Sequence, residues 1–318
     1  MLLAIAAMIV GIILLVWSAD RFVDGAASIA RNWHVPPMVI GLTIVSLGTS
    51  LPEMLVATIA ALDGSRNLGI GNVLGSNIAN IGLVLGITAM IVPLTIKSIT
   101  LRREMPVLLL ITFLAFALMA DGTLSFIDGL VLLASLVLML VWMVRTALHD
   151  KHDPLLQEMT EAVPESMAMK KAALWFVVGL LLLIVSSRMV VWGAVEIAHF
   201  LGVSDLVIGL TIVAIGTSLP ELVASVASAV KNEADLAIGN VIGSNMFNLL
   251  AVLMMPALIE PGAFSSQALL RDFPIMLLFT LALVALTIGR KSHSIGRFKG
   301  GLLVSSFAGY LYLLYLQA

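Results

Sequence analysis

The chain has 318 residues, 60% of them apolar and only 11% charged, and its mean hydropathy is +1.11. A water-soluble protein carries about 25% charged and about 45 to 50% apolar residues, so a soluble domain is excluded and a bilayer is required as solvent. The absence of cysteine excludes a disulfide framework, a thiolate metal site and a cysteine nucleophile, and a formal charge of −2 excludes a generally basic nucleic-acid binder.

The hydrocarbon layer is about 30 Å thick and a helix rises about 1.5 Å per residue, so apolar runs of about 20 residues are the units to seek. Ten are predicted, approximately 2–18, 37–62, 70–93, 105–120, 126–145, 172–192, 205–230, 238–259, 273–289 and 300–316. None alternates apolar and polar residues as a transmembrane β-strand does. The predicted fold class is therefore all-α, a polytopic membrane protein with ten transmembrane helices. The first run resembles a signal-peptide core, but no basic residue precedes it and Asp20, Arg21 and Asp24 follow without a clear cleavage site. It is expected to be retained. Trp17, Trp33, Trp142, Trp175 and Trp192 lie near the ends of apolar runs, as interfacial anchors do.

With the N-terminus outside, fourteen of the 17 Lys and Arg residues fall on the cytoplasmic side, leaving Arg66, Arg188 and Arg271 opposite. This positive-inside bias predicts both termini outside the cytoplasm. Residues 146–171 mix both signs of charge, contain Pro154 and Pro164, and form the expected cytoplasmic linker. It separates a first five-helix half, 1–145, from a second, 172–318.

Those halves repeat each other. VPPMVIGLTIVSLGTSLPEM from Val35 recurs as VSDLVIGLTIVAIGTSLPEL from Val203, and LGIGNVLGSNIAN from Leu68 recurs as LAIGNVIGSNMFN from Leu236. The offset is 168 throughout, and about 29 of the 59 positions from Val35 to Pro93 are identical to their counterparts. Fainter echoes pair Gly25 with Gly193, Ile29 with Ile197, Arg103 with Arg271 and Glu104 with Asp272. Because the offset crosses five spans, an odd number, the second half is expected to enter the membrane inverted. Inverted repeats place broken helices from both halves around a midplane site, as transporters do.

Glu53 and Glu221 are the acidic residues that lie well inside apolar spans and match across the repeat. A charge at the centre of a span costs about 2.5 to 3.5 kcal/mol, so two of them need a compensating role. Ser50-Leu-Pro-Glu53 also fits a capping box with proline in the first turn, a purely structural alternative. Pro52 and Pro220 remove the backbone bonds to the carbonyls of Gly48 and Gly216. Thr49 and Ser50 precede Glu53 by four and three residues and share its side of a helix, as Thr217 and Ser218 do with Glu221. In the following span Asn72, Ser76 and Asn80 form one polar stripe, mirrored by Asn240, Ser244 and Asn248. Gly71 with Gly75, and Gly239 with Gly243, have the spacing of close helix packing.

Two carboxylates with hydroxyls and amide oxygens, without thiolate or imidazole, suit a hard cation; calcium takes about 6 to 8 oxygens. Two carboxylates balance one divalent ion, two sodium ions or two protons, and burial and mutual repulsion favour proton uptake by the empty site. Competing occupancy of one site is the basis of antiport.

The paired GTSLPE and GNVLGSN or GNVIGSN segments resemble the two α-repeats of the calcium/cation antiporter superfamily, which contains the sodium/calcium exchangers. The sequence is most similar to its bacterial inner-membrane branch, which implies that location. The resemblance implies a five-plus-five helix fold in which the first and sixth helices slide against the others. The ligands it implies are Thr49, Ser50, Glu53, Ser76 and Asn80, with Thr217, Ser218, Glu221 and Ser244. Exchangers of this group can carry an acid where this chain has Asn248; an amide has the shape of a protonated acid, so Asn248 completes the expected cage while the titratable group is lost.

The expected function is secondary antiport of calcium against sodium or protons, with no cofactor, no catalytic residue, no nucleic acid and no obligate protein partner beyond the bilayer. A monovalent sodium or potassium/proton antiporter is the alternative within transport. An intramembrane hydrolase using Glu53 and Glu221 as acid and base is disfavoured, because such a pair needs dissimilar environments and the repeats are nearly symmetric. A passive channel would need a continuous polar stripe rather than a bounded cluster.

Overall fold

The computed structural model describes residues 1–96, 100–150, 167–202, 214–287 and 293–317. Its helices are α1 (Leu2–Trp33), α2 (Pro37–Thr49), α3 (Leu51–Leu62), α4 (Arg66–Ile91), α5 (Thr100–Met119), α6 (Phe126–Asp150), α7 (Met169–Phe200), α8 (Leu219–Val230), α9 (Ala234–Ile259), α10 (Ala268–Leu286) and α11 (Arg297–Gln317). By themselves, α1, α4, α7, α9, α10 and the stretch Phe126–Thr146 of α6 are long and apolar enough to cross a membrane. The pair α2 and α3, bent by 41°, makes a seventh candidate. The chain is a multi-pass membrane protein. Helices α6 and α7 run into both ends of the expected linker, whose residues 151–166 lie outside the described ones, as do 205–213 of the expected seventh span.

Helix α1 continues well past the predicted end at 18. Its added turns bury Phe22, Val23, Ala26, Ile29 and Ala30 on one side and keep Asp20, Arg21 and Arg31 on another, so an amphipathic stretch extends an apolar one. Its partner is α7, and glycine sets the approach. A Cβ at Gly25 would lie 2.5 Å from the Phe176 nitrogen and 2.8 Å from the Ala172 oxygen; at Gly193 it would lie 2.7 Å from the Ala4 oxygen. At Gly11 it would meet Val190 at 2.9 Å and at Gly179 the Phe22 nitrogen at 2.7 Å. These contacts map onto each other at the offset of 168, so the repeat register extends through α1 and α7. Arg21 lies over the Trp17 and Trp175 rings at 5.9 and 5.4 Å, joining the pair at one end.

The apolar interior divides in two. One core belongs to α1 and α7 with residues of α2, such as Val39 and Val45, and Ala224 of α8. The larger core is built on α4 and α9, the most enclosed helices, with α5, α10 and α11 around them. Each central helix contains a π-helical turn, Asn80–Leu85 in α4 and Asn248–Val252 in α9, and each turn begins at a predicted ligand. Close packing of α2 on α9 is also glycine-dependent: a Cβ at Gly41 would lie 2.5 Å from the Leu236 oxygen, and one at Gly239 2.5 Å from the Met38 oxygen. Gly243 abuts Ser46 and Leu42. Among the described residues nothing lies within 4 Å of a Cβ at Gly71 or Gly75.

Two short antiparallel ribbons tie the halves together: β1 (Leu94–Ile96) with β4 (His293–Ile295), and β2 (Thr123–Leu124) with β3 (Gly262–Ala263). Each ribbon takes one strand from each half. Strand β3 is the repeat counterpart of β1.

Candidate cation site

Both GTSLPE segments are helix breaks. Ser50, at φ −81° and ψ 2°, interrupts the passage from α2 to α3, and Ser218, at φ −89° and ψ 8°, separates the helical turn Ala214–Thr217 from α8. Pro52 and Pro220 stand in the first turns of α3 and α8, where a missing N–H is harmless, so the sequence starts a new helix at midspan. Glu53 and Glu221 therefore lie at helix N-termini, fully buried, in the favourable end of each helix dipole. The capping-box alternative fails, because neither Ser50 nor Ser218 makes a side-chain cap. Instead the Ser50 hydroxyl donates to Glu221 Oε1 at 3.3 Å, across the two halves. Because Ser50 stands three residues before Glu53, this bond brings the acid segments of the two halves together.

Helices α4 and α9 fix this geometry through matched amides. Asn72 Nδ2 donates to the Glu53 carbonyl and Asn240 Nδ2 to the Glu221 carbonyl, each at 3.4 Å. Asn240 Nδ2 also donates to Ser225 Oγ at 3.1 Å, and its Oδ1 accepts from the Thr49 hydroxyl at 3.2 Å. The sequence-predicted stripe is thus split: Asn72 and Asn240 bond the protein, whereas the residues further along the helices stay available. The Thr49 hydroxyl proton is taken up by Asn240 Oδ1 or by the Ser46 carbonyl at 3.3 Å, and either way lone pairs of that oxygen are left for another ligand. Asn240→Ala removes these bonds and is expected to raise the KM for the transported cation about tenfold in vesicle uptake, since each lost buried bond costs about 1 to 3 kcal/mol.

Several of the remaining candidates hold polar atoms that meet no partner, mostly oxygens but also Asn248 Nδ2. Thr49, Ser50, Glu53, Ser76, Asn80, Ser218, Glu221, Ser244 and Asn248 are buried, and Thr217 is half-buried. Both Glu53 oxygens, Glu221 Oε2, Asn80 Oδ1, Asn248 Oδ1 and the hydroxyls of Ser218 and Ser244 are enclosed without a hydrogen-bond partner in the structure. Such groups are costly in a protein interior unless something satisfies them. Sequence reasoning missed Asn245, whose Oδ1 accepts from Asn80 Nδ2 at 3.1 Å and thereby turns the Asn80 oxygen free. Its signal was present in the third letter of the repeated GSN motif.

A second matched acid pair, Glu104 and Asp272, is also buried, although sequence alone places it at span ends. Asp272 accepts from Arg271 Nε at 2.7 Å and from the Tyr310 hydroxyl at 3.1 Å, so its charge is already compensated. Among the described residues no Lys or Arg forms an ion pair with Glu53 or Glu221. Nor do the described residues gather three His, Cys, Asp or Glu side chains around one point. The site therefore rests on two carboxylates helped by neutral oxygens.

Buried oxygens at two matched helix breaks are the arrangement that inverted-repeat cation transporters use. Residues 3–145 and 171–316 match the sodium/calcium exchanger protein family. The chain is 44% identical over 318 residues to the inner membrane protein YrbG of Escherichia coli, covering 99% of this chain and 98% of that one. It is 29% identical over 344 residues to the sodium/calcium exchanger MaX1 of Methanosarcina acetivorans, covering 97% of each. Its structure superposes on that of the sodium-calcium exchanger NCX_Mj soaked with Na+ and Ca2+ with a TM-score of 0.83, 34% identity and 98% coverage of each chain. The chain belongs to the sodium/calcium exchanger family and is an antiporter of that family.

Proposed function

We propose that this protein exchanges calcium for sodium or protons at a single midplane site formed by Glu53 and Glu221 with Thr49, Ser50, Ser76, Asn80, Thr217, Ser218, Ser244 and Asn248. The observation that carries this reading is the set of buried oxygens without protein donors around two uncompensated carboxylates. Oxygen ligands alone, with a charge of −2 when both acids are ionised, suit calcium or a pair of monovalent ions. The ten-span, inverted five-plus-five arrangement, with halves 1–145 and 172–318 and linker 146–171, agrees with ribbons that each pair one strand from either half and with the mirrored α1 and α7 contacts. Both termini outside the cytoplasm and an inner-membrane location accord with the charge bias and with the likeness to YrbG.

Uptake of labelled calcium into sealed vesicles tests the proposal. Protein reconstituted with internal sodium, or with a pH gradient in place of sodium, should exchange calcium under at least one of the two conditions, and the condition that drives uptake identifies the counter-ion. Exchange of sodium for protons without any calcium flux would instead identify a monovalent antiporter. Asn248→Asp adds a third carboxylate to the pocket and is expected to change the pH or sodium dependence of exchange; unchanged dependence would show that this position does not set coupling.

A further inference from the structure

Helices α1 and α7 share a core with residues of α2, α8 and α9 that is distinct from the larger core around α4 and α9, and among the described residues the ion pairs that join α1 to the rest of the molecule lie at one end of the pair. There Lys231 Nζ, in the turn between α8 and α9, bonds Asp20 Oδ1 at 2.7 Å and Asp24 Oδ1 at close range. Two residues on, Glu233 Oε1 pairs with Arg31 Nη1 at 3.1 Å. All three acids and both bases belong either to the last turns of α1 or to that turn.

The repeat offset locates the corresponding residues at the opposite face. Asp20 corresponds to Arg188 of α7, and Lys231 to Asp63 in the turn between α3 and α4. The signs are reversed, but opposite charges still face each other by symmetry. The two turns share a backbone conformation, with Gly64 at φ 74° and Asn232, its counterpart, at φ 63°. Yet Asp63 and Arg188 are both exposed, and among the described residues no ion pair joins them. The site is also more open toward that face: Asn72 and Thr217 are half-buried, whereas their counterparts Asn240 and Thr49 on the fastened side are buried.

We propose that these are two alternating ionic latches, Lys231 with Asp20 and Asp24 at one face and Arg188 with Asp63 at the other, of which only one is closed at a time. The proposal rests on the antiport argued above, which requires one body to move against the other around a fixed site. When the α1 and α7 body shifts, Lys231 releases α1 and Arg188 reaches Asp63. The latches are unequal, since Asp24 and the Arg31–Glu233 pair have Trp192, His199 and Ser65 as counterparts. Partly enclosed ion pairs of this kind are weak anchors but adequate to bias two states of similar energy.

The chain has no cysteine, so engineered thiol pairs report without background. Oxidation of D20C/K231C should give an internal cross-link, and D63C/R188C should cross-link more slowly, because it captures the other state. Adding K231Q to D63C/R188C should speed that reaction by about threefold or more. Adding K299Q, a change at a half-buried lysine outside both latches, should not. Failure of residues 63 and 188 to cross-link, or a rate indifferent to K231Q, overturns the proposal. A charge exchange guards against misfolding as the cause: D63R alone should slow calcium exchange several-fold and D63R/R188D should restore it, whereas equal slowing in both would also overturn it. Cross-linking reads motion and not the ion, so vesicles that pass no calcium but show the expected cross-links refute the calcium reading and leave the latches standing.

Discussion

Glu53→Gln and Glu221→Gln should each lower calcium exchange in sealed vesicles about a hundredfold or more. Removing one of two charges that are matched to a desolvated cation costs about 3 to 5 kcal/mol by analogy with buried ion pairs, and each 1.4 kcal/mol is a factor of ten. Folding should survive both changes. Neither Glu53 oxygen has a hydrogen-bond partner to lose, and a glutamine at 221 retains an oxygen to accept the Ser50 hydroxyl. Without cations the variants should unfold at a higher temperature than the parent, because one fewer ionisable group is enclosed without a compensating partner. Calcium should raise the unfolding temperature of the parent and have little effect on the variants, since a ligand stabilises only the state it binds. Undiminished exchange in both variants would remove these residues from the mechanism.

Gly25→Leu should have the largest effect on folding. The new Cβ would meet the Phe176 nitrogen at 2.5 Å and the Ala172 oxygen at 2.8 Å, both backbone atoms that no rotamer change can move. Relief requires α1 and α7 to separate along the contact that supports their shared core. Overpacking of this kind costs about 1 to 3 kcal/mol or more, so the unfolding temperature of the purified protein should fall by about 2 °C or more. Gly193→Leu should behave alike, because its Cβ would meet the Ala4 oxygen at 2.7 Å in the mirrored contact. Gly301→Leu is the control; its Cβ meets nothing within 4 Å, and the unfolding temperature should hardly change.

The sequence was informative wherever a physical constraint acts along the chain. Apolar run length located the helices, and the offset of 168 located the acids and their flanking hydroxyls. It was less informative about helix ends: α1 and α7 extend beyond their apolar cores because their flanking turns are amphipathic and bury a stripe against each other. It also treated Asn72, Ser76 and Asn80 as one stripe. Their spacing is uniform, and only the neighbouring helices determine that Asn72 bonds a carbonyl while Asn80 keeps its oxygen free.

By itself the sequence determined the solvent, the duplication and the oxygen chemistry, since hydropathy, repeat offset and side-chain type are properties of the chain alone. Only the tertiary structure decided that Ser50 serves the acid of the other half rather than its own helix cap, and that Asp272 is neutralised while Glu53 and Glu221 are not. It alone showed Lys231 engaged with Asp20 and Asp24 while their counterparts Asp63 and Arg188 form no ion pair with each other among the described residues. Each of these outcomes depends on distances between segments far apart in the chain, which no local pattern encodes.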